Sequence, residues 1–330
     1  MNLAFELFLK ECTCPMSMKK VLSLFLLMLM ILTSAVAETA LEPLPMDQVT
    51  VGPAPKNANY ISDTEYVDDS ISVKIYEGRY ADTDYLYAHV KISHPSQLRT
   101  APASITPTKA ASFKSSSTRR GRLVANDANA VIAMNGDYFT KTECKVVLRM
   151  GTQYRNNADG LRDLLIIDKN GDFSYMNAPK KSDYAAYYEA NQQNLYQVFC
   201  FGPVMVENGV NLIPENYENG YIGAQKCAQR AALCQLGELE YMMVVCYGNQ
   251  TKGNKGMTIP EFAAVCDMAG RELNPEGGCK LAFNLDGGNS TALLFKQLDA
   301  KSNKLKYVKV NCPEIERFLS DIIYFATLVK

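Results

Sequence analysis

From Ser70 to Ile92 apolar and polar residues alternate on either side of a short polar break, in ISVKIYEGRYADTDYLYAHVKI, and this pattern predicts a β-hairpin. Two further strand-turn units are expected in LLIIDKNGDFSYM (164–176) and VFCFGPVMVENGV (198–210), each with Asn-Gly where a hairpin turn would sit. A short helix is expected at Tyr184–Asn194 between them. LEYMMVVCY (239–247) is short, apolar and bounded by polar loops, so it reads as a buried strand. Thr258 and Glu261, three residues apart, make a capping box with Pro260 in the first turn, which predicts a helix running to about Met268. A polar excursion over 270–278 then leads to a strand at 280–285, and RFLSDIIYFATLV (317–329) supplies a final strand.

Two polar, glycine-bearing turns interrupt apolar runs. VIAMNGDYF turns sharply at Asn135-Gly136-Asp137, and FNLDGGNSTALLF places Asp286, Gly287, Gly288, Asn289 and Ser290 between apolar segments. By itself the second reads as ordinary turn chemistry.

The N-terminus changes the picture. Lys19 and Lys20 precede an apolar run of about a dozen residues and then Ala35-Val36-Ala37, the pattern of a secretory signal peptide with its cleavage site. The run is too short for a membrane span. Residues 1–37 are therefore expected to be an upstream extension and signal peptide, 38–59 a proline-rich, weakly ordered linker, and 60–330 one mixed domain. Removal of 1–37 takes away three of the 34 basic and two of the 35 acidic side chains, moving the net charge from −1 to −2. Nothing in that balance points to nucleic acid or an anionic membrane. Arg119, Arg120 and Arg122 read as a solvated loop or helix end.

Eight of the ten cysteines remain after cleavage, with no Cys-x-x-Cys pair, and only two histidines, His89 and His94, are present. A structural zinc site and a histidine-based triad on Ser290 are disfavoured by that shortage, and His89 inside a strand reads as structural. Cys266 and Cys279 flank the end of the predicted helix and the next strand, so either a disulfide or two buried thiols is expected there.

Four segments in this order, AMNGDYF (133–139), FGPVMVENG (201–209), QRAALCQLGELEYMMVV (229–245) and GMTIPEFAAV through NLDGGNST (256–291), followed by the late Arg317, resemble the phosphodiester glycosidase family. The resemblance covers roughly residues 60–330. It implies an α+β fold, a single mixed domain with an extensive curved β-sheet flanked by helices. It also implies hydrolysis of the bond between an anomeric carbon and a phosphodiester, with an N-acetylglucosamine-like sugar on a cell-surface or exopolysaccharide glycan. The pattern departs from the family at Tyr247-Gly248-Asn249, where the family usually shows Asp-Gly-Arg, and at Gln229-Arg230-Ala231-Ala232-Leu233-Cys234, where it usually shows Pro-Arg-Thr-Ala-Ile-Gly. Lys252 and Lys255 are candidates to restore the lost positive charge.

Glycosidases commonly use two carboxylates, and Asp137 and Asp286 are the expected pair, each beside a glycine after an apolar strand. The leaving group would be a phosphate monoester, which needs little protonation. Arg230 is the expected phosphate ligand, with Asn135, Gly136, Gly287, Gly288, Asn289 and Ser290 lining the site and the two glycines forming an anion nest. No cofactor is required; a divalent cation is admitted without assigned ligands. Two function classes stand: an exported hydrolase acting on a sugar-1-phosphodiester, and a diverged non-catalytic domain that binds phosphorylated glycan.

Overall fold

Alternation of burial along paired strands builds the core. In the strand Ala231–Gly237, Ala231 and Leu233 face one apolar cluster while Ala232 and Cys234 face another, and Met243 and Val245 against Met242 and Val244 repeat this division in Glu240–Cys246. A sheet buried on both faces results. The computed structural model describes residues 41–107, 111–141, 143–220 and 222–330, so the expected signal peptide lies outside the described residues.

The largest sheet has nine strands, in the order Tyr60–Ser62, Glu65–Val67, Ile71–Tyr80, Thr83–Ile92, Glu240–Cys246, Ala231–Gly237, Leu281–Asn284, Val204–Glu207 and Val210–Asn211. All its described pairings are antiparallel. Two five-stranded sheets accompany it. One is ordered Phe173–Met176, Asp163–Asp168, Leu195–Phe201, Val146–Arg149, Thr152–Asn156; the other Lys304–Lys309, Leu293–Asp299, Ile132–Asn135, Asp321–Phe325, Leu98–Pro102. The central cluster draws on all three, with Leu233, Met243 and Phe283 from the large sheet, Leu165 and Phe199 from the first small one, and Met134, Phe295 and Ile323 from the second.

Each sheet also packs against a helix: α1 (Gly121–Asp127), α2 (Lys181–Asn191) or α3 (Ile259–Leu273). The described residues are thus mostly β, with three α-helices and with the strands divided among separate sheets, where one extensive curved sheet flanked by helices is expected from the resemblance. Helix α3 starts on the Thr258–Glu261 capping box. It continues through Gly270 to Leu273, past the expected end at Met268, because a side chain at Gly270 would meet Cys279 Sγ at 2.5 Å, so that glycine is a packing contact and not a stop.

The hairpin Ile71–Tyr80/Thr83–Ile92 and the pair Asp163–Asp168/Phe173–Met176 form as the alternation predicts. VFCFGPVMVENGV does not form one unit. Leu195–Phe201 and Val204–Glu207 enter different sheets on either side of Gly202-Pro203, and the Asn208-Gly209 turn joins Val204–Glu207 to Val210–Asn211.

Residues 43–330 form one compact unit. The described part of the proline-rich segment is held in place: the buried Arg99 guanidinium donates to the carbonyls of Pro45 (2.9 Å), Gln48 (3.1 Å) and Thr50 (3.3 Å), and Leu44, Val49 and Val51 pack on the α1 cluster. Those bonds oppose the weak order expected from prolines alone. All eight described cysteines are free thiols. Cys266 and Cys279 do not bridge, since Cys279 Sγ is directed at the Cys266 carbonyl (3.5 Å) and Cys234 shares the same buried cluster.

Candidate functional site

Three strand ends deliver polar residues to one place. Ile132–Asn135 ends at Asn135-Gly136-Asp137, Leu281–Asn284 runs into Leu285-Asp286, and Ala231–Gly237 begins just after Arg230. Register aligns two of these ends, with Asn284 opposite Ala232, while Asn135, opposite Ile322, ends a strand of another sheet. Asn135, buried, spans the gap: its Nδ2 donates to the Asp286 carbonyl (2.7 Å) and its Oδ1 accepts from the Ala292 N–H (3.0 Å). Gly287 sits so close to Arg230 and Gln229 that a Cβ would lie 2.8 Å from the Gln229 carbonyl, and the Gly288 N–H donates to that same oxygen (2.7 Å).

Asp286 is half-buried at the head of this loop. Burial, with a smaller contribution from the Asp137 charge, pushes its carboxyl up to about 6, against the pull of the Ser290 hydroxyl, Arg317 and the Gly287 N–H. The Arg317 side chain is exposed and forms no hydrogen bond or ion pair with a described residue; its guanidinium lies 5.6 Å from the Tyr138 ring centroid. Lys141 Nζ lies 5.2 Å from that ring, and Tyr138 holds φ at 60°, a conformation that costs a bulky residue energy. Lys141 and Arg317 therefore flank one aromatic ring, and Arg317 also acts on the Asp286 carboxyl.

The expected partner carboxylate is not available. The Asp137 side chain is fully buried; Oδ1 accepts from Arg149 Nη2 (2.6 Å), and Oδ2 accepts from the Cys200 N–H (2.8 Å) and Cys144 Sγ (3.4 Å). Arg149 Nη2 also reaches Asp321 Oδ2 at 3.5 Å, and its guanidinium carbon lies 4.1 Å from the Phe199 ring centroid. Burial and the Asp137 charge push Asp321 up to about 7 in spite of Arg149. Two carboxylates thus share one arginine under the site. The Asp321 carboxylate occupies the space of a missing side chain at Gly136, where a Cβ would lie 2.5 Å from Oδ2.

Arg230 is likewise committed. Nε donates to the Met257 carbonyl (3.0 Å), Nη1 to Ile222 (3.1 Å), and Nη2 to Gly223 (2.9 Å) and Lys226 (2.6 Å), so three of its bonds staple the 222–226 turn and a fourth holds Met257. The glycine nest does not form, because the Gly288 N–H is spent on Gln229. Ser290 is buried against Asp286, and Asn289 is exposed with Oδ1 accepting from Gln250 Nε2 (3.3 Å). Gln250 in turn accepts from Gln229 Nε2 (3.0 Å), which ties the divergent turn to the Asp286 loop through amides. In that turn Tyr247 is half-buried, its hydroxyl donating to the Val310 carbonyl (3.3 Å), and Asn249 is exposed. Lys255 pairs with Asp82, which removes it as a replacement cation.

His89 Nε2 lies 2.6 Å from Glu240 and His94 caps the 3-10 turn Pro95–Gln97, so neither serves Ser290 as a base. The described residues hold no group of three or more His, Cys, Asp or Glu side chains placed to bind a metal ion. Arg149, Asp321 and Tyr138 were not among the expected site residues; a lone charge in each of the apolar strands VVLR and DIIYF was the available signal.

A perturbed carboxyl near an exposed guanidinium at strand ends of a mostly β domain marks a candidate functional site. The chain belongs to the phosphodiester glycosidase family, whose model matches residues 128–326. Among solved structures it is similar to the catalytic domain of zebrafish N-acetylglucosamine-1-phosphodiester alpha-N-acetylglucosaminidase, auto-inhibited by its pro-peptide. The two are 14% identical over 87% of this chain and 99% of that one, with a TM-score of 0.57. A hypothetical protein from Synechocystis is also similar, at 14% identity and TM-score 0.50, over 78% of this chain and 62% of that one. At these identities the likeness is of fold. No curated protein matches the chain.

Proposed function

We propose that this protein is an exported hydrolase that cleaves the bond between the anomeric carbon and the phosphate of a sugar-1-phosphodiester. The observation that carries the proposal is the half-buried Asp286 carboxyl, raised to about 6, facing the exposed Arg317. Water adds to the anomeric carbon, the carbon–oxygen bond to phosphorus breaks, and a free sugar and a phosphate monoester leave. Ionised Asp286 acts at the anomeric carbon, as base or as nucleophile. Arg317 neutralises the departing phosphate, the function expected of Arg230 from sequence. That leaving group needs no strong acid, so one reactive carboxylate suffices where ordinary glycosidases use two. Asn135, Asp137 and Arg230 act as positioning residues, holding the two loops on which Asp286 depends.

The sugar is taken to be N-acetylglucosamine-like, on a cell-surface or exopolysaccharide glycan; the family and the named zebrafish neighbour support the sugar class. Export rests on the signal-peptide pattern, and no described helix is long and apolar enough to cross a membrane. The second reading, a non-catalytic domain that binds phosphorylated glycan, is favoured by the Tyr247-Gly248-Asn249 turn, which offers neither the acid nor the arginine usual there. Incubating wild type and Asp286→Asn with an aryl N-acetylglucosamine-1-phosphodiester separates the two. Turnover lost in the variant supports the hydrolase, and binding without turnover in wild type supports the binding domain.

A further inference from the structure

Away from the Asp286 loop, α1 and the strands Leu293–Asp299 and Lys304–Lys309 enclose a cleft of about 730 Å³. Its charged lining is Arg122, Lys296, Lys306, Lys309, Asp299 and Glu316, a net excess of two positive charges in a chain whose own net charge is −1. Both acids are committed: Glu316 Oε2 lies 3.0 Å from Arg122 Nε, and Asp299 Oδ2 lies 3.3 Å from Lys306 Nζ. Among the described residues, Lys296 and Lys309 have no carboxylate within ion-pair distance.

The sheet register sets these two lysines on one face. Lys296 is opposite Tyr307, and Lys309 is opposite Leu294 two positions along, so all four side chains share a side. Lys296 Nζ lies 5.3 Å from the Tyr60 ring centroid and 5.1 Å from that of Tyr307. Lys309 is 5% exposed and donates only to the Ile315 carbonyl (2.7 Å). Burial lowers both ammonium groups from the ordinary lysine range, and for Lys309 it outweighs the nearby Glu316 and Glu314 carboxylates. A desolvated cation without a counter-charge is costly, and an anion entering the cleft relieves that cost.

The wall of the cleft leads to the site. Pro313 and Glu316 line it, and the next residue, Arg317, acts on the Asp286 carboxyl. We propose that this cleft is an anion subsite that holds a further phosphate of a phosphodiester-linked polymer whose terminal sugar-1-phosphate lies at Asp286. The cation excess supports the anion; the link to the polymer rests on the hydrolase reading given above.

Poly(glycerol phosphate) is the probe, because it repeats phosphodiesters and has no glycosidic bond to lose. Calorimetric titration should show it binding wild type and Asp286→Asn alike, with neutral dextran not binding and inorganic phosphate binding more weakly. Lys296→Gln breaks no hydrogen bond and should weaken the polymer roughly tenfold. Glu316→Gln adds one net positive charge and should tighten it, a gain that misfolding cannot imitate. Equal polymer affinity in wild type and both cleft variants, or equal binding of dextran, overturns the proposal. Inorganic phosphate binding without polymer binding also overturns it, by reducing the cleft to a small-ion site. Turnover of the aryl phosphodiester without polymer binding removes the subsite and leaves the hydrolase, whereas polymer binding without turnover does the reverse.

Discussion

Replacing Asp286 with asparagine should stabilise the fold at neutral pH while removing activity. Folding raises the Asp286 carboxyl from 3.8 to about 6, a shift of roughly two units. At about 1.4 kcal/mol per unit, ionised Asp286 costs the native state at most about 3 kcal/mol. The sign follows from proton binding. Between pH 3.8 and about 6 the native state holds a proton that the unfolded chain has lost, so this residue's contribution to stability is full below pH 3.8 and disappears as pH rises through about 6. Asparagine is neutral throughout and keeps an oxygen to accept from Ser290 and Gly287. Asp321, raised to about 7, titrates in both proteins and largely cancels from their difference. Urea unfolding across this range should therefore give Asp286→Asn an advantage of up to about 3 kcal/mol near pH 7 that shrinks toward zero near pH 4. An asparagine variant that is less stable at pH 7, or a difference independent of pH, would refute the desolvated carboxyl.

Arg317→Ala should reduce kcat/KM about 10- to 100-fold and move the acid limb of the pH–rate profile above about 6, because Arg317 holds the Asp286 carboxyl down; an unmoved limb removes Arg317 from the site. Asp137→Asn takes one of two carboxylates from the buried Arg149 and should cost about 3 kcal/mol in chemical denaturation, the low end for breaking a buried pair because Asp321 remains. Gly136→Ala drives a methyl into the Asp321 carboxylate and should destabilise by about 1–3 kcal/mol in the same assay.

Elements were legible where one local signal decided them. Period-two alternation gave the hairpin at 71–92, and the Thr258–Glu261 capping box gave the start of α3. Pairing partners were not legible: nothing local to VFCFGPVMVENGV says that its halves enter different sheets. The end of α3 was missed because Cys279, nine residues on, uses the glycine as a packing surface. At the candidate site, the glycine-bearing turns that carry Asn135 and Asp286 were legible as turns. What sequence could not tell was which groups remain free. Arg230 looks the same whether it meets a phosphate or four backbone carbonyls, and Asp137 became unavailable through Arg149 and Cys200, neither of which its own turn announces.

Scission at the anomeric carbon by the Asp286 site is read out by hydrolysing an N-acetylglucosamine-1-phosphodiester in heavy-oxygen water and locating the label by mass spectrometry. Label is expected on the anomeric hydroxyl of the released sugar, with none in the phosphate monoester and no release by Asp286→Asn. Label in the phosphate, or undiminished release by Asp286→Asn, would contradict it.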